Sequence, residues 1–133
     1  MKFTVQFILF TLLVGMGQAE SLPLAKNGSA EVNWKRFAVS IAAHGAGAGF
    51  DSWTSWQRVE TNHFLADGGR FMAASAYKKA GLFAAISLVQ VMVVKKWGNR
   101  HPALEKALSI ANFSSAGMYA GAGVRNLGVP GVR

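Results

Sequence analysis

Few side chains in this chain are equipped for chemistry, and their spacing limits what they can do. The 133 residues contain six acidic groups, three histidines and no cysteine, which removes thiolate nucleophiles, thiolate metal sites, disulfides and lipid-modified cysteines. His44, His63 and His101 fall in three separate segments, with no ligand spacing between neighbours. Glu60 and His63 have the E-x-x-H interval that puts two ligands on one helix face in di-iron bundles, but such a site needs a second copy and further carboxylates. No acid repeats the motif. The run His44-Gly45-Ala46-Gly47-Ala48-Gly49 invites a dinucleotide-loop reading, yet Phe50 stands where the third glycine of that fingerprint belongs. No strand-like segment follows to build a sheet. G-x-S-x-G is absent as well. The chain is assigned no catalytic residue, no metal and no cofactor, and enzymatic activity is not the expectation.

What remains is a set of polar residues at helical intervals. Ser40, His44, Gly47, Asp51, Thr54 and Arg58 recur at steps of three or four, as do Glu105, Ser109, Asn112, Ser115 and Tyr119. Lys79, Ser87 and Gln90 share a third face more loosely. The candidates for a polar seam or a ligand site are therefore His44, Asp51, Thr54, Glu60, Asn62, Asn112 and Tyr119. Asp51 is expected to face the interior and meet Asn112 or Tyr119. The seam either glues helices together or forms a functional pocket around Asp51 and His44. Gly45 with Gly49, and Gly117 with Gly121, make two GxxxG pairs of the kind that let helix backbones approach.

Three apolar stretches must position these residues: 37–50, 80–94 and 107–124. Each is bracketed by charge and by Trp or Tyr. Lipid cannot satisfy exposed backbone groups, so a stretch that crosses it must be helical and span about 30 Å. From Tyr77 to Trp97 is 21 residues, roughly 31 Å at about 1.5 Å per residue. The rings at its ends fall at the depth of aromatic belts. Lys78, Lys79, Lys95 and Lys96 are expected to lay their stems along the segment and raise their charges to the interface. Trp34 to Trp53 gives the first segment a comparable length. Expected helices are 34–57, 74–97 and 103–125.

Composition agrees. Charged residues make up 15% of the chain and hydrophobic ones 51%, against about 25% charged in ordinary soluble proteins. The net charge of +8 comes in pairs at the ends of apolar runs, which fits lipid headgroups better than nucleic acid. Residues 1–19 follow the secretory pattern, with Lys2, the apolar core Phe3 to Val14, and small Gly17 and Ala19 ahead of a cut before Glu20. Residues 20–33 are expected to form a flexible arm with a sequon at Asn27, residues 57–73 a polar connector turning at Asp67-Gly68-Gly69-Arg70, and residues 126–133 an irregular tail. Seven basic residues fall on one side of the expected spans and six on the other, so the charge rule does not choose an orientation.

The stretch Asp51-Ser-Trp-Thr-Ser-Trp, with Glu60-Thr-Asn62, Lys79-Ala-Gly81 and Ala111-Asn112-Phe113, resembles small bacterial integral membrane proteins of unknown function. In these, a helix carrying D-x-x-T-[ST] precedes an E-x-N-P segment; here His63 stands in place of Pro. The resemblance covers about Phe37 to Pro130 and implies a helical bundle in the bacterial inner membrane. The expectation is an all-α, three-helix transmembrane bundle behind an N-terminal signal peptide. Its role is accessory, binding or structural. Its partners are the lipid bilayer, other membrane proteins or further copies of itself, and not nucleic acid. Two other classes compete, a membrane-embedded enzyme or transporter element using Asp51 and His44, and a secreted cationic, glycine-rich, membrane-active protein.

Overall fold

The computed structural model describes residues 31–128, and these form three helices with no strand among them: α1, Trp34–Thr54; α2, Ala73–Trp97; and α3, Pro102–Gly128. The expected signal segment 1–19, most of the expected arm with Asn27, and residues 129–133 lie outside the described residues. Asn33 starts α1 by accepting a hydrogen bond from the Arg36 backbone N–H at 2.9 Å, the usual service of an Asn N-cap to an otherwise orphaned donor. Just before it, Val32 is buried, so this end of the expected arm is fastened to the bundle. The glycine run 45–49 lies inside α1, not in a phosphate loop. α3 opens on Pro102, whose missing N–H costs nothing at a first helical position. It continues through Asn126 to Gly128, where an irregular tail was expected.

Cross-helix bonds fix the directions of the helices. Arg36 meets Glu105, Ser40 meets Asn112 and Asp51 meets Asn126. Their separations of 69, 72 and 75 residues change little along the pair, so α1 and α3 run parallel. α2 runs the other way: Val32 packs on Gly98 at one end, and Asp51 reaches Lys79 near the other. The packing is uneven. α1 lies along most of α3, whereas α2 touches both at only a few places.

The closest approach of α1 and α3 is at Gly47. A Cβ built there would stand 2.7 Å from the carbonyl oxygen of Ala116, and Gly123 likewise receives the Phe50 ring. Gly49, Gly117 and Gly121 have open space where their side chains would be. The two GxxxG pairs are thus not where these backbones meet; the glycine within the polar stripe is. A small apolar cluster of Val32, Phe37 and Val94, backed by Ile41, Val91 and Leu108, closes one end. Phe71 is buried near the start of α2.

The connector folds back on itself. Gln57 N–H donates to the Phe71 carbonyl at 2.8 Å, and Phe71 N–H to that of Arg58 at 2.9 Å. The ladder turns at Asp67–Arg70, where both central residues, Gly68 and Gly69, have positive φ (59° and 79°). Two consecutive left-handed residues are what a type I′ turn demands, and glycine supplies them without a Cβ clash. Gln57 also has positive φ, 62°, held by its bond to Phe71 and by Arg70, which donates to its carbonyl at 3.0 Å.

Gly47→Ala and Gly49→Ala should move stability in opposite directions. The first pushes a methyl group into a backbone carbonyl that has no rotamer with which to yield, at a cost of about 1–3 kcal/mol. The second enters open space and gains the helix preference of Ala over Gly, about 0.5–1 kcal/mol. Thermal unfolding of the two purified variants in detergent checks the sign.

Candidate functional site: a polar column between the helices

Between the helices runs a column of polar side chains, best described from one end to the other. At the first level Arg36 grips Glu105 with two bonds, Nε to Oε1 at 3.0 Å and Nη2 to Oε2 at 2.5 Å. Ser109 Oγ donates to the same carboxylate at 2.8 Å. Glu105 is only 1% exposed and precedes the apolar run that begins at Ala107. These three bonds leave neither carboxylate oxygen without a donor.

The second level is neutral. Asn112 and Gln90 exchange amide bonds, each nitrogen donating to the other's oxygen at 3.0 Å, and Asn112 Nδ2 also donates to Ser40 Oγ at 3.1 Å. Ser40 Oγ donates to the Phe37 carbonyl at 2.7 Å. One residue from each helix thus meets here, with Asn112 bonded to both Gln90 and Ser40. At the third level the His44 ring stacks on Tyr119, centroids 5.7 Å apart and planes within 15°, and meets the Phe83 ring edge-on at 5.2 Å.

The fourth level holds the second charge pair. Lys79 Nζ donates to Asp51 Oδ2, and Asn126 Nδ2 reaches Asp51 Oδ1 at 3.3 Å and Ser55 Oγ at 2.9 Å. The ammonium also lies 4.7 Å from the Tyr119 ring centroid and 5.8 Å from that of Phe71, within the range of cation–π attraction. Thr54 turns its hydroxyl onto its own helix, at 3.1 Å from the carbonyls of both Phe50 and Asp51. Among the described residues no buried side-chain nitrogen or oxygen lacks a partner, and no three His, Asp or Glu gather as a metal would require.

The structure brings together His44, Asp51, Thr54, Asn112 and Tyr119 from the expected set. Asp51 does face inward, but its partners are Lys79 and Asn126. Asn112 is engaged elsewhere, by Gln90 and Ser40, and Tyr119 reaches the carboxylate only through the ammonium between them. Glu60 and Asn62 stay in the connector, where Glu60 accepts from Asn62 N–H at 2.7 Å and Asn62 from Phe64 N–H at 3.1 Å, which shapes the loop. Because Glu60 and His63 are not on a helix, their E-x-x-H interval has no common face. Lys79 does not reach for the interface; it turns into the bundle, as its place on the polar face with Gln90 implies.

Arg36 and Asn126 stood in none of the expected stripes, and Ser40, Lys79, Gln90, Glu105 and Ser109 stood in the stripes but not among the candidates. For Asn126 a signal existed, since Asn112, Tyr119 and Asn126 continue the α3 stripe at heptad intervals. A groove of about 280 Å³ lies beside the column, between α1 and α2, with small walls such as Gly45, Ala48, Ala76 and Ala80. Its polar edge is Ser52 and Lys79, and that ammonium is already committed to Asp51. The chain matches no family model, no curated protein and no solved structure.

A double-mutant cycle reads the fourth level directly. Asp51→Leu leaves a buried ammonium without its counter-ion and should cost about 3–5 kcal/mol, whereas Asp51→Leu with Lys79→Met, which removes both charges, should recover most of it. Unfolding midpoints of the single and double variants give the coupling.

Proposed function

We propose that this chain is a small integral membrane protein whose three helices cross the bilayer, of the kind found in bacterial inner membranes. Its role is accessory or structural, exercised through its outer surface. The observation that carries this reading is the inverted polarity of the bundle. Ser40, Thr54, Ser75, Lys79, Glu105, Ser109 and Asn112 are buried, while Val39, Leu88, Val89, Met92, Ile110 and Met118 are exposed. In water that distribution works against folding, because apolar area gains by leaving solvent and polar groups lose by it. In hydrocarbon it is favourable, since the outer side chains meet their own kind and the inner ones hydrogen-bond to one another.

Among the described residues only α2 is long and apolar enough to cross a membrane by length and composition. α1 and α3 fall short on average because each carries half of the polar column, and those groups would never meet lipid. Their outward faces are apolar, and 21 and 27 residues give about 31 and 40 Å of helix. An accessory role fits better than a catalytic or transport role for Asp51 and His44. Both oxygens of Asp51 are bonded, and the neutral Asn112–Gln90–Ser40 cluster fills the column between the two charge pairs.

The absence of cysteine makes single labels easy to place. Nitroxides at Val39→Cys, Leu88→Cys and Ile110→Cys should all be reached by oxygen and shielded from a water-soluble nickel chelate in reconstituted vesicles, and Asp67→Cys should behave the opposite way. The protein should also resist carbonate extraction. A lipid signal at Leu88 alone would leave α2 as a lone span, and recovery of the protein from culture fluid would favour the secreted membrane-active class. Photo-crosslinkers at Leu88 and Ile110 in native membranes should capture a second protein or a second copy. Capture of nothing but lipid from every outer position would remove the accessory role.

A further inference from the structure

The fold draws to one end of the bundle basic residues that are far apart in sequence. Lys35 lies in the first turn of α1, Lys95 and Lys96 in the last turn of α2, Arg100 in the turn that follows, and Lys106 in the first turn of α3. All five are exposed. The contacts Val32–Gly98 and Arg36–Glu105 tie the three helix ends together. Among the described residues the only ion pairs are Arg36–Glu105 and Lys79–Asp51, so none of the five has a carboxylate partner. Glu105, which sequence alone would set against Lys106, is consumed beneath the surface by Arg36, with its side chain 2% exposed. Glu31 is the one exposed acid described at this end. The N-termini of α1 and α3 also point here and add their partial positive charge.

The other end also exposes aromatic rings, Trp53, Trp56 and Tyr77, but its charges are arranged differently. Arg70 and Lys78 donate to backbone carbonyls of the connector, and Asp67 and Glu60 share the surface with them and with Arg58 and Arg125. Two further observations at the basic end choose the kind of anion. Trp34 and Trp97 are exposed there, at helix ends where indole rings occupy the headgroup layer. Lys96 lies 4.7 Å over the Trp97 ring, which sets cation and aromatic at one depth.

We infer that the Lys35, Lys95, Lys96, Arg100 and Lys106 surface binds the phosphate-bearing headgroups of anionic phospholipids. The inference rests on the bilayer reading for the depth of the two tryptophans, but not for the charge. Each basic side chain adds attraction to an anionic surface that acts within a Debye length, and five without internal counter-ions act together. Ammonium and guanidinium groups donate to the phosphodiester oxygens, and the indoles pack between neighbouring headgroups. A zwitterionic headgroup offers the same phosphate but cancels the field with its own cation, so the site distinguishes lipids by net charge.

The test uses the full chain in nonionic detergent, titrated with short-chain phosphatidylglycerol or phosphatidylcholine while binding is followed by the rise in thermal midpoint. Phosphatidylglycerol should bind about tenfold or more tightly, and the preference should shrink with added salt. Lys95→Gln with Lys96→Gln and Lys106→Gln should abolish the preference, and arginine at the same three positions should retain it. Arg70→Gln with Lys78→Gln at the opposite end should leave it intact. Equal binding of the two lipids, equal loss from the opposite-end variant, or full displacement by inorganic phosphate would overturn the inference. Carbonate resistance without lipid preference would overturn it while leaving the bilayer reading in place. A lipid preference that follows the three lysines in a protein stripped by carbonate would support it and remove the spanning helices instead.

Discussion

A polar group taken out of water must find its partner inside the protein, and in this bundle that requirement sets where the helices stand. Four of the seven buried polar residues, Ser40, Lys79, Glu105 and Asn112, make side-chain bonds that cross from one helix to another. Leaving any one of them unpaired would cost about 1–3 kcal/mol, more for a charge. The register of α1 on α3 is therefore fixed at three separated points, by Arg36–Glu105, Ser40–Asn112 and Asp51–Asn126. A slide by one turn would break all three together. The glycine at 47 is a consequence of the same demand: side chains as short as Ser and Asn meet only if the backbones come close, and Gly47 against Ala116 allows this.

α2 is held by a different balance. It shares little surface with its neighbours and relies on a few fastenings, namely Lys79 on Asp51, Gln90 on Asn112, Phe83 against His44, and the apolar closure around Val94 and Gly98. Between them its surface is aliphatic and open. The two polar fastenings sit in opposite halves of the helix, which fixes its tilt and rotation without extensive packing. Because the lysine and the glutamine both reach partners on α1 or α3, α2 is the helix whose placement is most sensitive to loss of one side chain.

The all-helical class, the three helices, and the inward polar stripes of α1 and α3 were legible in the sequence because they follow from local periodicity. So was the turn at Asp67–Arg70, where consecutive glycines between polar residues leave one economical backbone solution. What was not legible depends on depth and on pairing between helices. Lys79 carried two expectations, a place on the polar face of α2 with Ser87 and Gln90 and a reach for the interface alongside Lys78. Only the rotation of α2 against α1 sends Lys78 to solvent, where it bonds the Phe64 carbonyl, and Lys79 to Asp51. The GxxxG pairs misled because small-residue spacing says that approach is possible on a face without saying that a partner lies there: Gly45 meets the Phe83 ring, but Gly49, Gly117 and Gly121 face open space. Asn126 was hidden by Gly128 and Pro130, whose helix-breaking tendency marks an end but does not forbid the turn just before it.

The order of groups along the column follows from the cost of charge at different depths. With His44 near the middle of α1, Arg36 and Asp51 lie about 10–12 Å from it in opposite directions along the axis. The formal charges thus stand toward the two ends, each neutralised by a partner from another helix, while the centre holds amides, a hydroxyl and stacked rings. An ion pair at the centre would bear the greatest desolvation penalty in a bilayer and the least relief from water or headgroups. Neutral amide exchange supplies specificity there without that penalty. The order of charge, amide, ring and charge is what the proposed bilayer setting favours, and it does not depend on the hydropathy of any single helix.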